Sequence, residues 1–340
     1  MPITIKDIAQ RVGKSTTTVS RALNDYDDIS AETKALIRRV ADEMGYSPNA
    51  FAQRLQKQRT DTLAFILPTF GPRFSDPFFS ELLAGIGNKA AQYGFDLLVA
   101  TRPPGEAEMD AYRFNIQGHR TDGFIIVRTR RHDPRIDFLK EAGFPFVAFG
   151  RTLNSDDFSY VDEDGELGMA LVINHLYKLG HRRIACLLPP EELTFAYYRR
   201  RGIERESQKL GLNPDQVWLQ ISDLTQRGGY QVTQTLLDQA HPPSAIVACN
   251  DLMAFGAMSA VQERDLQVGK DISITGFDDI PLAEHSHPPL TTVHQPVYQI
   301  GGMVTEMLVK KIRGQAIENE RVLLRPSLIV RSSCGPALTS

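Results

Sequence analysis

From Asp61 onward, short apolar runs of strand length alternate with stretches of helical periodicity, and this alternation constrains the architecture of the 340-residue chain more than any other property. The runs fall at residues 63–67, 96–100, 124–127, 146–149, 183–188, 217–221, 245–249 and 272–276. Continuous apolar strands separated by helix-length intervals belong to parallel sheets covered on both faces by helices. Two such sets, divided near Tyr160, predict an α/β body of two doubly wound parallel-sheet subdomains. Open sheets of this kind take ligands beyond the carboxyl ends of their strands, which places a cleft between the lobes.

The first sixty residues read differently. They carry a net charge of +3, against −6 for the remainder, although the whole chain sums to only −3. Thr4 caps a short helix whose apolar positions Ile5, Ile8, Ala9 and Val12 recur at helical spacing, and Gly13 supplies a turn. Ser15 is a good N-cap for a second helix, 16–23, with Val19, Ala22 and Leu23 facing inward. A third helix starts at Ser30, carries Leu36, Ile37, Val40 and Met44, and stops at Gly45. Helix, glycine turn, helix is a helix-turn-helix head, whose second helix enters the DNA major groove by its N-terminal residues. Thr16 and Thr17 are therefore candidate base readers, with Arg21 further along; a hydroxyl, a methyl and a guanidinium each match groups on base edges. Ser47 and Pro48 open a further helix, 49–57, too short to stand alone in water and expected to need a partner or DNA.

The stretch from Thr4 through Gly13-Lys-Ser-Thr-Thr-Thr-Val-Ser-Arg-Ala-Leu-Asn24, followed by Gly45-Tyr-Ser-Pro-Asn-Ala-Phe-Ala-Gln-Arg-Leu55, resembles the lactose-repressor (LacI/GalR) family, and the similarity runs over nearly the whole chain. The resemblance implies a body like periplasmic sugar-binding proteins and a homodimer on a pseudo-palindromic double-stranded operator. It implies a DNA-facing set of Thr4, Ser15, Thr16, Thr17, Thr18, Ser20, Arg21, Asn24, Tyr46, Asn49, Ala52 and Leu55. Residues 48–57 become a hinge helix that folds on the operator, with Leu55 as an apolar wedge in the minor groove. The implied division is a head at 1–46, a hinge and linker at 47–61, and an effector and dimerisation domain at 62–340. Within the last, one lobe takes about 62–160 and 292–320, the other about 161–291 and 321–340.

For the cleft, Phe78 and Phe79 offer stacking faces, though either ring also suits a core. Arg199 matches the family's effector-binding arginine; its fork suits vicinal hydroxyls or a carboxylate. Asn250 and Asp278 end two strands and are the favoured polar groups, whereas the neighbouring Asp279 also fits a structural role. Gln295 matches another cleft position. Arg151 reaches either the effector or the lobe interface. Leu224 and Val297 fall where relatives often place aromatics, which leaves the ligand open. A small-molecule effector is expected, a sugar or oligosaccharide first and a purine co-repressor second, with no cofactor.

Other classes lack their signatures. The sequence has no Gly-rich phosphate loop, no Gly-x-Ser-x-Gly elbow and no His-Glu-x-x-His, so no enzyme is expected. His285 and His287 have no further ligands nearby for a metal. No apolar run approaches a membrane span and no signal peptide opens the chain, which suggests the cytoplasm. The three dispersed cysteines read as packing residues of a reducing compartment. Residues 331–340 lack a leucine heptad for tetramerisation, which favours a dimer.

Overall fold

The computed structural model describes residues 3–46, 59–69, 76–154 and 157–338. The chain divides into two compact units, Met1–Thr60 and Asp61–Ser340. The expected hinge helix, with Asn49, Ala52 and Leu55, lies outside the described residues.

In the first unit, helices α1 (Ile5–Val12), α2 (Thr16–Leu23) and α3 (Ala31–Glu43) enclose Ile8, Val19, Ala22 and Ile37, all fully buried. Local chemistry fixes their ends. The Asp7 carboxylate accepts from the Thr4 N–H at 2.8 Å and from the Thr4 hydroxyl at 2.7 Å, which holds its carboxyl below the usual range. Ser15 Oγ accepts from the Thr18 N–H at 3.0 Å, and Ser30 Oγ from the Thr33 N–H at 3.3 Å. Gly13 and Gly45 leave α1 and α3 with φ of 64° and 67°, the left-handed region where a missing Cβ removes the steric penalty.

The second unit holds two six-stranded sheets. The first comprises β1 (Thr62–Pro68), β2 (Asp96–Arg102), β3 (Gly123–Ile126), β4 (Phe146–Phe149), β5 (Tyr160–Glu163) and β11 (Arg321–Leu324), in the order β11-β5-β4-β3-β1-β2 and parallel throughout. The second comprises β6 (Ile184–Leu188), β7 (Val217–Ile221), β8 (Ala245–Ala248), β9 (Ser273–Asp278), β10 (Thr291–His294) and β12 (Ser327–Ile329), in the order β12-β10-β9-β8-β6-β7. Only β12 runs antiparallel to its neighbour among these described strands.

Helices cover both faces of each sheet. Helix α4 (Pro77–Gln92) and helix α12 (Val297–Ile312) pack on one face of the first, against Leu63, Phe65 and Leu67. Helices α5 (Glu106–Gln117) and α6 (Pro134–Glu141) cover the other, against Ala64 and Ile66. Burial on both faces is why β1 reads as an unbroken apolar run. A Cβ at Gly85 of α4 would lie 2.1 Å from the Tyr298 carbonyl oxygen, so only glycine allows α4 and α12 to approach this closely. The second sheet is flanked by α7 (Gly165–Lys178), α8 (Thr194–Lys209), α9 (Gln226–Leu237) and α10 (Asp251–Gln262), with a short turn of helix α11 at Leu282–His285.

The division between lobes differs from the sequence expectation at three places. Residues 161–163 belong to the first sheet, not the second lobe, because β5 pairs with β4 and β11. Residues 292–294 belong to the second sheet, through pairing of β10 with β9, rather than to the first lobe. Residues 321–324 pair with β5 in the first sheet, so only the later part of 321–340 returns to the second. Strand pairing decides the assignment, and the chain crosses between sheets after Glu163, at Gln295–Pro296 and at Arg325–Pro326.

Candidate functional site

On the head, Thr16, Thr17, Ser20 and Arg21 line one shallow surface depression with Ile5 and Tyr26. Thr16 and Thr17 are exposed and free to present hydroxyl and methyl together. Arg21 lies over the Tyr26 ring at 5.0 Å and pairs with Asp28 at 2.8 Å. The other described candidates have structural duties. The Ser15 and Thr18 hydroxyls bond each other at 2.8 Å, the Asn24 amide donates to the Ser20 carbonyl at 2.9 Å, and Tyr46 packs against the head core. Thr4 belongs to the cap of α1, with its hydroxyl given to Asp7.

In the body, a cleft at the carboxyl ends of the strands gathers Phe78, Phe79, Arg151, Arg199, Asn250, Asp278 and Gln295, all seven candidates. It encloses about 90 Å³. Asp76 caps α4 by accepting from the Phe78 N–H at 3.1 Å, which aims both phenylalanines. Phe79 is 2% exposed and belongs to the first lobe's core; Phe78 is half-buried and stacks on Phe149 at 5.9 Å. Thus one of the two rings is core and the other is a cleft face.

Arg199 reaches from α8 across the strand ends. One of its nitrogens donates to the Cys249 carbonyl, another lies 3.7 Å from Asp278, and its plane sits 3.6 Å over Phe277 and 4.8 Å from Phe195. Asp278, in an unusual backbone conformation with φ of 117°, accepts from Gln295 Nε2 at 2.7 Å. Burial pushes its carboxyl well up, against the pull of Arg199. Asn250 spends its amide on the fold, accepting from the Met253 N–H at 2.9 Å and donating to the Leu224 carbonyl at 3.0 Å. Asp279 is structural, bonded to His294 at 2.9 Å and Arg331 at 2.7 Å. Arg151 donates to Asp162 at 2.8 Å and lies 3.8 Å over the Tyr198 ring, so it joins the two lobes at the cleft mouth. Leu224 lines the cleft; Val297 is core.

Sequence reasoning missed Arg128, Asp162, Glu163, Phe195 and Tyr198, which also line the cleft. Arg128 follows β3 and Glu163 ends β5, so the rule that ligands meet strand carboxyl ends was the available signal. Arg128, with φ of 50°, stands 4.9 Å over Phe79 and 3.7 Å from Asp76. Its backbone is held by a buried ionic cluster. Arg135, fully buried, donates to the Arg128 carbonyl at 3.1 Å, to Glu108 at 2.9 Å and to Asp133 at 2.8 and 2.6 Å. Across the mouth, the Thr194 N–H donates to the Thr129 carbonyl at 2.9 Å and the Arg131 N–H to the Glu192 carbonyl at 3.0 Å. Among the described residues no His, Cys, Asp and Glu group could hold a metal, and no helix is long and apolar enough to cross a membrane.

Comparison with known proteins agrees with both regions. Residues 4–49 match the family of bacterial regulatory proteins described as the lacI family, and residues 173–334 match a periplasmic binding protein-like domain. The transcriptional regulator AglR of Rhizobium meliloti is 36% identical over 99% of this chain and 96% of its own length. CelR of Thermobifida fusca is 32% identical over 97% of this chain and 98% of its own. Among solved structures, a CelR–cellobiose complex superposes with a TM-score of 0.75 at 31% identity, covering 97% of this chain and 99% of that one. The lac repressor dimer bound to operator and the anti-inducer ONPF superposes with a TM-score of 0.85 at 28% identity, covering 98% and 99%.

Proposed function

This chain belongs to the lacI family of bacterial regulatory proteins, and we propose that it is a repressor whose operator affinity is set by a sugar, most simply a disaccharide, held in the interlobe cleft. The DNA-binding regulator follows from the family; the sugar, its contacts and the dimeric state are the proposal. The observation that carries it is the cleft lining. Arg199, Asp278 and Gln295 present donors and acceptors beside the aromatic faces of Phe78, Phe149 and Phe195, the combination that suits a sugar's hydroxyl edge and C–H face. On the head, Thr16, Thr17 and Arg21 are the proposed base readers, and a homodimer on a pseudo-palindromic operator, acting in the cytoplasm, is the matching assembly.

The closed cleft is smaller than the roughly 300–1,000 Å³ of ordinary ligand sites. Seating a disaccharide therefore requires the lobes to part or the guanidinium groups to swing, exchanging the Arg151–Tyr198 contact and the bridge at Thr129–Thr194 for contacts to the sugar. A ligand moves an equilibrium only by its differential affinity for the two states, so these exchanged contacts are where sugar binding would act on the operator-competent arrangement. A thermal-shift panel of mono- and disaccharides and purine bases tests the reading. A rise in melting temperature with a sugar supports it; a rise with purines alone replaces the sugar by a purine.

A further inference from the structure

Two residues that line the cleft carry buried side-chain atoms with no hydrogen-bond partner: both carboxyl oxygens of Glu163 and the Nε of Arg199. Glu163 is 5% and Arg199 6% exposed. Buried polar atoms are paired in the great majority of native proteins, so unpaired atoms on two cleft-lining residues require a reason. The neighbouring charges are already matched: Arg128 with Asp76, Arg151 with Asp162 and Arg199 with Asp278. Glu163 is the acid left over. A Cβ built on Gly165 would lie 3.2 Å from Arg199 Cγ and 3.8 Å from its Nε, so glycine there keeps space open beside the unpaired N–H.

We infer that the Glu163 carboxyl group and the Arg199 Nε–H form an acceptor and donor pair that grips one hydroxyl-bearing edge of the sugar. This rests on the cleft being the effector site. A sugar hydroxyl both donates and accepts, so it can satisfy the carboxyl oxygen and the guanidinium N–H together. Burial pushes the Glu163 carboxyl up to about 9; Arg199 opposes this, whereas Asp278, Asp162 and Asp164 add to it. At neutral pH the group is therefore a carboxylic acid, able to donate through one oxygen and accept at the other. A glutamine reproduces that pattern, and an alanine abolishes it.

The test uses the full-length chain and calorimetric titration with cellobiose, maltose, trehalose and sucrose. The sugar that binds the wild type most tightly is then titrated into Glu163→Gln and Glu163→Ala, and the melting temperature of each ligand-free variant is recorded. The expected result is affinity within about threefold of wild type for Glu163→Gln and a loss of about tenfold or more for Glu163→Ala, the cost of leaving a polar partner unmet. Neither ligand-free variant should melt below wild type, since the Glu163 side-chain oxygens have no hydrogen-bond partner in the protein. Undiminished affinity in Glu163→Ala, or a loss accompanied by a lower melting temperature, overturns the inference while leaving the sugar reading intact. Absence of binding by the wild type to all four sugars overturns the disaccharide reading and the inference with it.

Discussion

Replacing Arg135 by methionine removes the centre of the ionic cluster that fixes the Arg128 loop. Arg135 is fully buried, as is Glu108, and Asp133 is 3% exposed. Burial alone would raise the Asp133 carboxyl, yet the hydrogen bonds and charge of Arg135, with smaller help from Arg130, hold it below the usual range. Arg130 would still reach Glu108 at 2.6 Å, whereas Asp133 would keep only backbone donors, the Arg130 N–H at 3.0 Å and the N–H of residue 135 at 3.1 Å. Breaking one partner out of a buried ion pair costs about 3–5 kcal/mol. At roughly 2–4 °C per kcal/mol for a domain of this class, the body's melting temperature should fall by about 6–20 °C. Arg135→Lys, which keeps the charge but not the fork, should fall between. Differential scanning calorimetry measures both. The loss of the donor to the Arg128 carbonyl should also weaken sugar affinity in whatever fraction remains folded. A methionine variant melting within about 2 °C of wild type would contradict this, because the cluster would then be worth no more than an exposed pair.

Stability of the body should decline with rising pH. Burial raises the Asp251 carboxyl to about 7 and Glu163 to about 9, so the folded state holds protons that the unfolded chain releases near pH 4 to 5; the stability is fully present below that range and is lost as pH climbs through 7 and then 9. Urea denaturation between pH 5 and 10 should show that decline, with its upper part flattened in Glu163→Gln, and a rising profile would contradict it. Ile8→Ala, at a fully buried position of a very small core, should cost about 2–5 kcal/mol and unfold the head, seen as loss of operator binding while the body's calorimetric transition stays in place. Thr17→Ala should relax base preference at one operator position by about 1–3 kcal/mol while leaving the salt dependence of binding unchanged; an unchanged base preference would remove Thr17 from the readout.

The head was readable because its helices are set by local chemistry: Ser15 and Ser30 cap them, Gly13 and Gly45 end them, and Ile8, Val19 and Ile37 recur at helical spacing. Strands β1, β3, β6, β8 and β9 were readable for a related reason, since burial on both faces demands unbroken apolar runs such as 63–67. Strand β5 escaped because it ends in Asp162 and Glu163, polar residues turned to the cleft, and β10 because it buries Thr291 and Thr292 where the pattern asks for aliphatics. The crossings between lobes depend on which strand pairs with which, a long-range choice that no local window contains. In the cleft, Arg199 and Asp278 were identifiable by family position, but the partners that tune them were not. Arg128 and Glu163 are brought there by strand ends whose order in the sheet differs from their order in the chain.

On the proposed function, occupancy of the cleft changes affinity for a specific DNA sequence. An operator recovered by selection from randomised duplexes, titrated by fluorescence anisotropy at fixed salt, tests it with wild type and Arg199→Ala, each with and without the sugar identified by thermal shift. The expected result is tight binding of the selected duplex by both proteins and a sugar-dependent change in Kd for the wild type alone. Equal affinity for selected and random DNA, or an undiminished sugar response in Arg199→Ala, would contradict it.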